Sequence, residues 1–89
     1  MIFSTVNLTA SGAVKTGPGA LAGVLLAAGA DAASVTVYDN TAGSGAKLAV
    51  VKAAAGASAG WTPGGLQACS KGLYAAITGT SPDVFVIYG

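Results

Sequence analysis

Gly19-Ala20-Leu21-Ala22-Gly23-Val24-Leu25-Leu26-Ala27-Ala28-Gly29-Ala30 is the most apolar run of the chain, and its reading decides the fold. Alanine and leucine favour a helix on propensity alone. Three glycines, Gly19, Gly23 and Gly29, oppose it within eleven residues. A helix over Ala20 to Ala28 would have about two and a half turns, a length that is marginal without strong packing. The run is also shorter than the ~17–20 residues a helix needs to cross hydrocarbon. Pro18 bounds it on one side and Asp31 on the other. We therefore read Leu21 to Leu26 as a buried strand.

Working outward, the neighbouring segments agree. Gly17-Pro18-Gly19 breaks the chain sharply, because proline fixes φ and glycine allows positive φ. Upstream, Ile2 to Leu8 is a strand with Ile2, Val6 and Leu8 on one parity. Thr9 to Gly12 turns the chain and Ala13 to Thr16 adds a short extension. Downstream, Ser34-Val35-Thr36-Val37-Tyr38-Asp39 alternates cleanly, with Val35 and Val37 on one face and Thr36 and Tyr38 on the other. Asn40 to Gly45 is a loop. Ala46 to Ala54 is a strand with weak alternation, for which a helix is the competing reading. Ala55 to Gly60 reads as small, flexible connection, and Pro63-Gly64-Gly65 as a turn after Trp61 and Thr62. Leu66 to Cys69, Leu73 to Thr78 and Val84 to Tyr88 are the closing strands. Turn signals at intervals of about 8–14 residues predict an antiparallel β-sandwich, jelly-roll-like, of about seven to eight short strands. The whole of residues 1–89 reads as one domain.

Composition narrows what such a domain does. Apolar residues are 53% and charged residues 8%, against about 25% charged in an ordinary soluble domain. A surface so poor in charge leaves apolar patches, and such patches mark contacts. A chain of this size buries only about two-thirds of its extended surface and commonly needs a staple. One cysteine makes no internal disulfide, and without histidine no ordinary tetrahedral zinc site forms within one chain. Association with other chains is the staple left, so a homo-oligomer is expected. The net charge of +1 and four scattered lysines argue against nucleic acid. No charge precedes Lys15, so the N-terminus lacks the basic start of a secretory leader, and a cytoplasmic product without a membrane segment is expected.

Catalytic groups are scarce. There is no His, Glu or Arg. Asp31, Asp39 and Asp83 each sit at a turn, where an aspartate bonds nearby backbone. Cys69 has no histidine to activate it and reads as a buried, inert thiol. No base stands ready for the serines and threonines, and neither glycine-rich loop opens a phosphate-binding helix. The expectation is a protein without enzymatic activity, cofactor or metal. Among the aromatics, Phe3 and Phe85 read as core residues, while Trp61 fits either core packing or an interface plug.

Lys15-Thr16-Gly17-Pro18-Gly19, Gly23-Val24-Leu25-Leu26, Val35-Thr36-Val37-Tyr38-Asp39-Asn40-Thr41, Gly43-Ser44-Gly45, Gly72-Leu73-Tyr74 and Val84-Phe85-Val86-Ile87-Tyr88 together form a familiar pattern over most of the chain. It resembles small tailed-phage virion structural proteins of the capsid decoration or cement kind. The resemblance implies a β-sandwich, dimeric or trimeric, that binds the major capsid protein on the outer capsid surface and bridges its subunits. It also leaves open, as the alternative, a head-fibre or tail-associated module that recognises a receptor or glycan. On this reading the contacting residues are Ile2 and Phe3, the Gly43, Ser44 and Gly45 loop, and Trp61 with Pro63. The protein would be made in the host cytoplasm and reside on the virion. A membrane-active or coat-like helical peptide is the remaining alternative, and it requires dominant helix.

Overall fold

Residues 3–61, 67–80 and 82–89 are described by a computed structural model of the chain. They form nine strands and no helix: β1 (Ser4–Leu8), β2 (Gly12–Thr16), β3 (Gly19–Ala27), β4 (Ala33–Asp39), β5 (Ala46–Ala53), β6 (Ser58–Trp61), β7 (Gln67–Cys69), β8 (Gly72–Thr78) and β9 (Asp83–Tyr88). The deciding run is β3, the longest of them at nine residues. The helical coat-like alternative ends there.

The strands make two antiparallel sheets. Sheet A has the order β1-β9-β3-β6, with β7 also on β3; sheet B has the order β2-β8-β4-β5. Strand β6 pairs with Val24 to Ala27 and β7 with Gly19 to Leu21, so the two share one position along the same edge of β3. Counted that way there are eight positions, four in each sheet, and nine strands arise where the sequence suggested seven or eight because one position is split. Only β4–β5 and β6–β7 are joined within a sheet. Every other connection crosses between sheets, and the first and last strands pair. That is the connectivity of a jelly roll.

Its core lies between the sheets. Leu21, Val24 and Leu26 of β3 and Val84 and Val86 of β9 face Val35 and Val37 of β4, Leu73 and Ala75 of β8 and Val51 of β5. Each fully buried Val or Leu contributes about 1.5–3 kcal/mol relative to exposure. No charged or polar side chain is buried among the described residues.

Three bulges explain why the sequence alternates imperfectly. The pairing of β3 with β9 shifts between Leu21 and Gly23, which lets Leu21 join Val24 and Leu26 in the core despite the odd spacing. In β5 the register shifts opposite Val37 and Tyr38, so Leu48 is the extra residue between Lys47 and Ala49. In β2 the shift falls at Val14. A bulge sets two residues against one and so inverts the parity beyond it.

Two expectations are corrected. Phe3 and Phe85 are not core residues, being 44% and 38% exposed. Val84 and Val86 take the inward places on β9, and alternation sends Phe85 outward. Ala55 to Gly60 is not all connection, since its second half opens β6. Small side chains hid the strand, which exists because β3 offers it a backbone to pair with.

Candidate functional face

The outward residues of sheet A follow from its register. Phe85 stands beside Asn7 of β1 and Leu25 of β3, and Leu25 beside Gly60 of β6. The adjacent row is Thr5, Ile87 and Gly23. Phe3, just before β1, adds a third large exposed side chain to Phe85 and Leu25, the last 47% exposed. Gly60 leaves room for Leu25: a Cβ there would come to 3.0 Å from Leu25 Cδ2, the far end of a flexible, exposed side chain that would have to shift. Leu25 therefore lies over a bare stretch of backbone, and an open groove of about 430 Å³ forms between Leu25, Phe85, Ala27, Ser58 and Gly60.

The face is almost without charge. Of the outward positions on the strands of sheet A, only Asp83, at the end of β9, is ionisable. The lysines lie elsewhere: Lys15 on β2, Lys47 and Lys52 on β5, Lys71 in the β7–β8 turn. Apolar, concave patches almost without charge are the surfaces on which proteins commonly make contacts.

The outer face of sheet B differs. Tyr38 and Tyr74 are cross-strand neighbours, and Lys47 stands opposite Tyr38. The Ser34 and Thr78 hydroxyls share a 2.6 Å hydrogen bond farther along. The Asn40–Gly45 loop folds against this side, because a Cβ on Gly43 would lie 3.2 Å from Tyr74 Cε1. Asn40 holds that loop in shape. Its Nδ2 donates to the Ser44 carbonyl at 2.8 Å, and its Oδ1 accepts from the Thr41 N–H at 2.8 Å.

The sequence-derived contact residues do not converge. Phe3 is exposed and immediately precedes β1 at the edge of sheet A. Gly43, Ser44 and Gly45 are exposed beside Tyr74, on the face of sheet B. Trp61 is half-buried, pairs with Val24 and packs against the core. Ile2 and Pro63 lie outside the described residues. Leu25 and Phe85 escaped sequence reasoning, although one signal pointed to them. Five consecutive apolar residues, Val84 to Tyr88, mean a strand apolar on both faces.

Asp39 and Asp31 act structurally, over a longer range than their turns suggested. Asp39 Oδ1 accepts from the Ser70 N–H at 3.0 Å and the Lys71 N–H at 2.9 Å, and Oδ2 accepts from Ser70 Oγ at 3.2 Å. One carboxylate thus ties the end of β4 to the β7–β8 turn. The Lys71 amide first, then that of Ser70, holds the Asp39 carboxyl below its ordinary range. Asp31 accepts from the Thr80 hydroxyl. Cys69 is buried, and burial foremost, then the Asp39 charge, pushes its thiol up, away from the reactive thiolate. Among the described residues no three of His, Cys, Asp or Glu gather into a metal site.

Comparison with protein-family models, with curated proteins and with solved structures gives no match to this chain.

Proposed function

We propose that this protein is a virion structural protein of the capsid decoration type. Copies sit on the outer surface of a tailed-phage shell, dock against the major capsid protein and bridge neighbouring subunits. Bridging opposes separation of those subunits, and many modest contacts on one lattice hold firmly together through effective concentration. The chemistry required is surface burial alone, and the protein so read is neither an enzyme nor a cofactor carrier.

The observation that carries the reading is the outer face of sheet A, almost without charge, with Leu25 and Phe85 exposed on it and Phe3 exposed beside it. A chain with 8% charged residues has little with which to solvate that face. Residues of the resemblance, Val24, Leu25 and Phe85 among them, build the two central strands beneath it.

The test is a saturation isotherm of purified protein on expanded shells that lack it. Binding to a fixed number of sites per shell supports the reading. Protein that stays in the supernatant at every concentration refutes it.

A second reading, a fibre or tail module that recognises a receptor or glycan, draws on the other face. Tyr38 and Tyr74 side by side, with Lys47 opposite Tyr38, are the kind of surface on which a sugar ring stacks. Tyr38→Ala would abolish glycan-array signal under this reading and leave shell binding unchanged under the first.

A further inference from the structure

Four strand positions stand at sheet edges: β1 and the β6–β7 position in sheet A, β2 and β5 in sheet B. An open edge is a template for another strand, and proteins blunt such edges with lysine, bulges or short strands. Three of the four are blunted here. Strand β5 carries Lys47, Lys52 and the Leu48 bulge. Strand β2 carries Lys15 and a bulge at Val14. The β6–β7 edge is split into pieces of four and three residues.

Strand β1 has none of these devices. Ser4-Thr5-Val6-Asn7-Leu8 contains no charge and no proline. It pairs with β9 over five consecutive residues without a register shift. Among the described residues no strand covers its other side.

We infer that β1 is a self-pairing edge: two copies of this chain join antiparallel, β1 to β1, about a two-fold axis through Val6. In that register Val6 meets Val6, Thr5 meets Asn7, and Ser4 meets Leu8. No charge is brought against its like. Self-pairing of β5 about its centre would set Lys47 against Lys52, which is unfavourable for like charges directly opposite. Antiparallel self-pairing is isologous and closes at two copies, so the assembly is a dimer and not a trimer.

The dimer has a consequence for the face described above. Sheet A of one copy continues into sheet A of the other, through β3, β9 and β1 and out again. The two apolar faces become one surface carrying Phe85 and Leu25 twice. The pairing itself is independent of the shell reading; only the use of the doubled face as a two-point shell contact rests on it.

Sedimentation equilibrium of the free protein tests the pairing without any shell. Wild type is expected at about twice the 8.4 kDa chain mass. Thr5 and Asn7 are exposed and point away from the core, so T5K/N7K leaves the core side chains in place, at the loss of the 3.3 Å hydrogen bond that Asn7 Nδ2 donates to the Val84 carbonyl, while setting lysine against lysine across the two-fold. This variant is expected to sediment as a monomer with an unchanged far-UV circular dichroism spectrum. A42K/S44K adds the same charge on the distant loop and is expected to remain dimeric. Where T5K/N7K fails to fold, T5C/N7C gives the answer: oxidation yields a covalent dimer, and neither cysteine alone does. A wild-type monomer at millimolar concentration, a trimer, a dimer that T5K/N7K leaves whole, or an absence of T5C/N7C cross-linking overturns the inference.

Discussion

Replacing Phe85 with threonine removes the ring at the centre of the outer face of sheet A and puts a residue of good strand preference in its place. The ring is 38% exposed. A phenylalanine presents about 200 Å² when free, so about 75 Å² remains for a partner to cover. At about 25 cal/mol per Å², that area contributes about 2 kcal/mol to docking. Such a loss weakens one contact about 25-fold. The assay is the binding isotherm of F85T on shells that lack the protein, run beside urea denaturation of the free variant. The second experiment separates the two roles of the ring, whose buried part also packs on its own sheet. The expected result is a cooperative unfolding transition with modestly lower stability, and an isotherm displaced by more than tenfold. A folded F85T that binds within twofold of wild type would refute the assignment of this face.

Other outcomes concern the fold. Leu26 is 1% exposed at the centre of the core, so L26A is expected to cost about 2–5 kcal/mol in denaturant unfolding; a loss below about 1 kcal/mol would contradict a close-packed interior there. Gly79 has φ +108°, and a Cβ would lie 2.8 Å from the Ala33 Cβ and 2.9 Å from the Ala32 carbonyl oxygen. G79A therefore combines backbone strain with a clash and is expected to lower the thermal midpoint more than G12A, whose Cβ meets nothing within 4 Å. Asp39 has its pKa depressed in the folded state, so its contribution to stability is present above about pH 4, the unfolded value, and is lost as pH falls through the lower folded value. Urea midpoints of wild type and D39N are expected to differ at pH 6 and to converge towards pH 2; a gap that widens on acidification would contradict the clamp.

Much of this fold was legible because turn chemistry and alternation agree. Gly17 and Pro18 separate β2 from β3, and Val35 and Val37 face the core as their spacing implies. The ambiguities trace to bulges. Ala46 to Ala54 alternates poorly because Leu48 is an extra residue, and no hydropathy pattern marks where parity inverts. Strand β6 was hidden because Ser58, Ala59 and Gly60 have little strand preference of their own and take their conformation from β3. The candidate face was the least legible part. Val84 to Tyr88 is apolar at every position, so alternation alone does not say whether valine or phenylalanine turns inward. That choice is made by the opposing sheet, whose small Val35, Val37 and Ala75 complete a thin core against valine and leave the larger ring outside. The Asp39 clamp joins residues more than thirty positions apart and has no local signature.

Hydroxyl-radical footprinting of the protein, free and bound to shells, reads the docking face side chain by side chain. Labelling of Phe3, Leu25 and Phe85 is predicted to fall on binding, with Tyr38 and Tyr74 labelled as in the free protein. Protection of the two tyrosines with the sheet A residues still labelled would place the contact on the opposite face and contradict the account.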